Sequence, residues 1–254
     1  LALYLAYFMS SKQALVKTFS RGVIPPFAVT GLFCGLLLLQ PDFGSAVVVA
    51  SILFFMCLAG GTRFIYLFFA MILACAGAMA LAILEPYRLR RLLAFLDPFA
   101  DPTDTGYHLV QSLLAIGSGG LFGVGLGQGT PEKIPAYYND FIFAVVCEQL
   151  GQAFGVLLLA VYVLLILRGV TVVARARRSF EMLLGCGVLT MLGIQTFMIV
   201  AGVIKMIPLT GVTMPFLSYG GSSLLSCMAM IGILHGASAR AQENLEEDIL
   251  CVRG

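Results

Sequence analysis

The feature that most constrains this chain is the spacing of its charges, which bracket apolar runs of nearly one length. Residues 22–41 carry no charge between Arg21 and Asp42, residues 43–62 none between Asp42 and Arg63, and residues 64–84 none between Arg63 and Glu85. As helix, about 20 residues rise roughly 30 Å, which matches the hydrocarbon core of a bilayer. Residues 149–167 and 182–204 are also free of charge, and the stretch after Lys205 stays uncharged as far as Arg240. This pattern predicts an all-α fold, a polytopic transmembrane bundle of five spans with a shorter sixth near 222–237. Hydrophobic residues make up 60% of the chain and charged residues 11%, against roughly 25% charged in a soluble domain. Too few charges remain to coat a water-facing surface. Nor is there a nucleic-acid footprint, because 15 Lys and Arg stand against 13 Asp and Glu with no basic tail.

Leu1–Met9 is apolar but too short to cross a membrane, and the chain begins with Leu. No signal peptide with a basic start and cleavage site opens it. The expectation is one integral membrane domain over 1–254 whose first residues are the end of a helix begun upstream.

Loop charges give the orientation. Lys12, Lys17, Arg21, Arg63, Arg168, Arg175, Arg177, Arg178, Arg240 and Arg253 fall on one side, against Arg88, Arg90, Arg91, Lys133 and Lys205 on the other. Ten against five puts the first set in the cytoplasm, together with a tail at 238–254. Arg88, Arg90 and Arg91 cluster on the outer side against this rule, which points to a task for them. The seven cysteines show no metal-ligand spacing.

The outer loop, residues 85–140, holds 10 of the 28 charged side chains. Long loops of this kind are usually functional. Asp97, Asp101 and Asp104 alternate with Pro98 and Pro102 in a turn-rich stretch. Leu109, Val110, Leu113 and Leu114 then recur at helical spacing, predicting a short amphipathic segment on the outer membrane surface. Seven glycines follow between 117 and 129. With no strand before them and no GK[ST] after them they are a weak nucleotide motif, and close backbone packing against helices is the preferred reading.

The loop ends at Asp140, at the mouth of the next span, where a carboxylate can cap a helix, perform chemistry, or both. Eight residues further lies Glu148, about 12 Å along a helix, and an ionisable group at such depth is either functional or a polar contact between helices. After Lys205 the sequence MIPLTGVTMPFLSYGGSSLL is uncharged yet broken by Pro208, Gly211, Pro215, Gly220 and Gly221. Irregular backbone at membrane depth survives only where protein or a watery cavity shelters it. Its hydroxyls, among them Ser218 and Ser222, therefore suggest the wall of a polar cavity. Lys205 either snorkels to the interface or pairs with Asp140 or an anionic substrate.

The strings QPDFGSA (40–46), EPYRLRRLLAFLDPFADPTDTGYHLVQSLLAIGSGGLFGVGLGQG (85–129), IPAYYNDFIFAVVCEQLG (134–151) and PLTGVTMPFLSYGGSS (208–223) resemble the shape, elongation, division and sporulation (SEDS) family, whose members include FtsW, RodA and SpoVE. The resemblance covers nearly the whole chain, with four motifs in order. It implies a ten-helix membrane protein with cytoplasmic termini, entered here late in the fourth helix, and a peptidoglycan glycosyltransferase acting at the outer face of the bacterial cytoplasmic membrane. The implied substrate is lipid II, the undecaprenyl diphosphate-linked disaccharide pentapeptide, and the implied partner is a class B penicillin-binding protein transpeptidase. The family's essential acid maps onto Asp140 in NDFIF, as general base towards the acceptor hydroxyl. Arg88, Arg90, Arg91 and Lys205 are the candidate cations for the diphosphate. Glu148, Gln111, Ser218 and Ser222 are further substrate-binding candidates, and Asp42, Pro215, Gly220 and Gly221 mark the structural motifs. A divalent cation, Mg or Mn, could assist, although no ligand cluster is visible. Two positions depart from the family pattern: Ala136 replaces a frequent Glu in PAYYND, and Thr210 stands where some members carry Lys. A lipid II flippase and a non-catalytic scaffold for a transpeptidase are the rival functions.

Overall fold

The computed structural model describes every residue except 13–17, 85–94, 100–105, 135–136 and 254, and side chains are also left out at 19, 78, 80–84, 238 and 240–253. Arg88, Arg90, Arg91, Asp101, Asp104 and Ala136 lie outside the described residues, as do the side chains of the acidic tail. The described secondary structure is helical, without strands. In order, the helices are α1 (Ala2–Ser11), α2 (Ile24–Leu39), α3 (Phe43–Ala59), α4 (Phe64–Leu84), α5 (Tyr107–Gly119), α6 (Ile142–Leu150), α7 (Gln152–Ala174), α8 (Ser179–Val203) and α9 (Gly221–Arg253).

Each charge-free run contains a helix, and the ends have local causes. A π-helical turn, Phe19–Val23, runs directly into α2, which carries Pro25 and Pro26 in its first turn, where the fixed φ of proline suits a helix. Asp42 caps α3, its Oδ1 accepting from the Ser45 amide at 2.9 Å, and Gly61 in left-handed conformation follows the helix end. Three helices are long and apolar enough to cross a membrane: Ser20–Leu39, Gln152–Ala174 and Ser179–Val203. Three shorter apolar ones, Phe43–Ala59, Phe64–Gly77 and Gly221–Ala237, fall in the remaining runs among the described residues. Phe43–Ala59 is shorter than its charge-free run because uncharged turn residues such as Gly60 and Thr62 also lie between the charges. The amphipathic segment expected at 109–114 is part of α5, and α9 continues without interruption through the residues expected as a tail.

The described chain divides into two compact units, 1–70 with 164–194 and 224–254, and 71–163 with 195–223. In the first unit, Leu5, Met9, Met56 and Leu183 are almost wholly buried. Small residues let these helices approach closely: a Cβ on Gly60 would lie 2.3 Å from Cε of Met9, and one on Gly187 2.8 Å from Sδ of Met56. A second cluster of this unit joins Val173, Leu189, Leu192, Cys227 and Leu234. In the second unit the core gathers Ala115, Ile134, Phe141, Phe143, Ala144, Cys147, Tyr162, Ile199, Val203 and Met214. This core carries the candidate site. By contrast Val156, Leu157, Val161, Val163, Leu164 and Leu167 of α7 are exposed, as expected of a helix face covered by lipid rather than protein.

Candidate functional site

The second unit is organised around a break between α6 and α7. Gly151, with φ of +89°, ends the nine-residue α6, and α7 starts at the next residue. A helix end in apolar surroundings leaves backbone groups without partners, which cost free energy unless they are hydrogen-bonded. The glycine run supplies the partners. The amides of Val124 and Gly125 donate to the carbonyls of Glu148 and Gln149 at 2.9 and 3.1 Å, while the amides of Gln152 and Ala153 donate to the carbonyls of Gly120 and Leu121 at 2.9 and 3.2 Å. The Gln152 side-chain amide adds a bond to the Ile116 carbonyl. Contact this close excludes a side chain: a Cβ on Gly119, Gly123 or Gly151 would lie 2.1–2.3 Å from a backbone oxygen. Gly119 and Gly123 pack backbone against helix, as the sequence suggested for the run, whereas Gly117, Gly120 and Gly127 have open space beside them.

This break corrects two expectations. Glu148 does not stand on the spanning helix: it belongs to α6, which stops before the span begins. Asp140 is not the helix cap either, because that position falls to Phe141, whose side chain cannot accept a hydrogen bond. Asp140 lies just ahead of it in the turn that enters α6.

Asp140 faces the broken segment that the sequence picked out. Gly211, with φ of +70°, presents its α-carbon to the carboxylate, and a Cβ there would lie 3.8 Å from Oδ2 of Asp140. Around it the two segments are tied together. Ser218 Oγ donates to the carbonyl of Asn139 at 2.7 Å and accepts from the Met214 amide at 2.8 Å. The Tyr219 amide donates to the Tyr138 carbonyl at 2.9 Å. The hydroxyl of buried Tyr162 donates to the Pro215 carbonyl, fixing the segment from below. Phe216 holds a left-handed φ of +63° beside Pro215, a strained conformation of the kind that concentrates at functional sites. Ser222 and Ser223 fall in the first turn of α9, where Ser223 Oγ lies 3.3 Å from Thr213 Oγ1, and Gly220 precedes the first helical residue, Gly221.

Glu148 builds a separate feature. It is 4% exposed, its Oε1 accepts from the Thr130 amide at 3.0 Å, and its carboxylate lies so close to Gly129 that a Cβ there would be 2.8 Å from Cδ. Together with Gln111, Ser118, Thr130, Lys133 and Ile134 it lines a cavity of about 180 Å³. Two sequence candidates, Gln111 and Glu148, therefore meet in one place. Lys205 does something different: it closes α8 in a left-handed conformation, φ +60°, and its ammonium donates to the Leu96 carbonyl at 3.4 Å. Among the described residues no three His, Cys, Asp or Glu side chains gather to hold a metal ion.

Sequence reading gave no role to Tyr138 or Asn139; Gly211 it marked only as a helix breaker, and Tyr219 only as one of the hydroxyls of the broken segment. Only the helix-breaking context of Gly211 pointed to it; the two tyrosines carry no spacing signal.

Known proteins match most of the chain. The family model described as "Cell cycle protein", FtsW/RodA/SpoVE, matches residues 1–243. A probable peptidoglycan glycosyltransferase FtsW of Geobacter sulfurreducens is 40% identical over 248 residues, covering 94% of this chain and 65% of its own length. Stage V sporulation protein E of Bacillus subtilis is 35% identical over 237 residues, covering 92% of this chain and 65% of its own length. A chain of a solved peptidoglycan synthase complex, reported for its coordination of polymerization and crosslinking, matches with a TM-score of 0.76 at 28% identity, over 94% of this chain and 67% of that one. The chain thus spans just under two thirds of the length of the two relatives.

Proposed function

The chain belongs to the FtsW/RodA/SpoVE family of cell cycle proteins, and from that premise we propose that it serves as a peptidoglycan glycosyltransferase that polymerises lipid II at the outer face of the cytoplasmic membrane. The observation that carries the reading is the placement of the Asp140 carboxylate against Gly211, with the flanking backbone tied to the 208–223 segment. A base must be held in place to work, and these ties hold it.

In the proposed reaction Asp140 takes the proton from the 4-hydroxyl of the acceptor sugar as that oxygen attacks C1 of the donor. The new bond joins O4 to C1, the bond from C1 to the diphosphate oxygen breaks, and the lipid diphosphate leaves with the electron pair. General-base assistance of this kind is worth about 10²- to 10⁴-fold. The departing diphosphate calls for cations, for which Lys205, Arg88, Arg90 and Arg91 are the proposed set. The outer placement of 85–140 and the cytoplasmic placement of the C-terminus follow the loop charges. A class B penicillin-binding protein is the proposed partner, in line with the peptidoglycan synthase complex among the structural matches.

The test is incubation of the reconstituted protein with labelled lipid II, followed by gel analysis. Glycan chains longer than the disaccharide support polymerisation. Movement of lipid II across the bilayer with no new glycosidic bond would replace it with the flippase reading.

A further inference from the structure

Beside Asp140 stand two exposed aromatic rings that none of the roles above uses. Tyr138 is 47% exposed and Tyr219 77% exposed. They come from different segments, one two residues before Asp140 and the other directly after Ser218, yet they are fixed to each other. The Tyr219 amide donates to the Tyr138 carbonyl at 2.9 Å, and the rings meet edge to face with centroids 5.9 Å apart and planes at 87°. Tyr137 continues the array, edge to face with Tyr138 at 5.3 Å. Edge-to-face contact is a preferred aromatic geometry, and both residues keep exposed surface within it. Ser218, bonded to both Asn139 and Met214, holds the base of the array.

Rings so exposed and so firmly held suit a ligand that is flat and apolar on one face and polar at its rim. A pyranose ring has that character: its axial C–H groups meet an aromatic face, and its hydroxyls stay available to phenolic oxygens. We propose that Tyr138 and Tyr219 form a stacking platform for a sugar ring that enters the Asp140 site. This inference rests on the glycosyltransferase reading for the identity of the sugar but not for the existence of the platform. Tyrosine is also common as an anchor at membrane interfaces, and an anchor makes a different prediction, because any large apolar side chain would replace it.

Two measurements separate these possibilities. Saturation-transfer NMR with N,N′-diacetylchitobiose as the probe, on protein held in a non-sugar detergent, should show transfer to the axial ring protons. Tyr219→Leu and Tyr138→Leu should reduce that signal at least fivefold, while Tyr219→Phe keeps most of it. In the lipid II polymerisation assay the Leu variants should raise KM about tenfold with kcat within twofold. Unchanged transfer and KM in the Leu variants would overturn the platform, as would equal losses in Tyr219→Phe and Tyr219→Leu. Sugar binding that depends on the rings in a protein without polymerase activity would uphold the platform and refute the glycosyltransferase reading; polymerisation indifferent to the rings would do the reverse.

Discussion

Ser218 donates its hydroxyl to the backbone carbonyl of Asn139, 2.7 Å away and one residue before Asp140. Because the same oxygen accepts from the Met214 amide, it joins the turn that carries the carboxylate to the segment that faces it. Ser218→Ala removes both bonds and leaves a partly buried amide unpaired. A net loss of about 1–2 kcal/mol in stability is expected. The looser placement of Asp140 should lower kcat about tenfold, with KM less affected. Steady-state polymerisation and thermal unfolding of the variant check the two effects separately.

Gly211 holds a left-handed backbone beside Asp140, and a Cβ there would stand 3.8 Å from Oδ2. In Gly211→Ala the backbone strain alone is worth about 1–2 kcal/mol, and the added methyl sits in contact with the carboxylate. Activity should therefore fall more than the modest drop in melting temperature explains. Activity at the parental level would show that the carboxylate does not work from this position.

Lys205 adopts a left-handed conformation without being glycine. Lys205→Gly should raise stability by up to about 1 kcal/mol by relieving that strain, while removing the ammonium proposed for the diphosphate. Opposite movements of melting temperature and activity are the expected signature; Lys205→Arg should keep the cation and most of the activity. If all three proteins polymerise equally well, the lysine has no part in leaving-group stabilisation.

At the break between α6 and α7, Gly151→Ala combines positive φ with a Cβ 2.3 Å from the Leu121 oxygen. The cost should be at least about 2 kcal/mol, seen as a lower yield of folded protein and a lower unfolding temperature. Glu148→Ala should be comparably damaging, since it orphans the Thr130 amide and enlarges the cavity beside it. Glu148→Gln retains an acceptor for that amide and should be milder.

Much of this molecule is legible in its sequence because lipid imposes simple rules. A charge cannot sit cheaply in hydrocarbon, so Arg21, Asp42, Arg63 and Glu85 delimit α2, α3 and α4. The breakers at 208–221 announced irregular backbone, and that segment does meet Asp140. The break at Gly151 escaped notice because the apolar run simply continues past it. Polar Glu148, Gln149 and Gln152 around it were the available signal. Glu148 then looked like a charge deep in a span, whereas it anchors the turn at Thr130 through a backbone bond. The tyrosine pair was illegible for a different reason. Tyr138 and Tyr219 are 81 positions apart in sequence, and only folding brings them side by side.

Asp140 is proposed as the base of a lipid II polymerase. Its most direct test is the single-turnover rate of glycan formation from labelled lipid II by reconstituted protein, with Asp140→Asn measured beside it. Asp140→Asn should lose at least about 10²-fold in the chemical step, with its unfolding temperature and lipid II binding close to those of the parent. Polymerisation by Asp140→Asn within a few fold of the parental rate would contradict it.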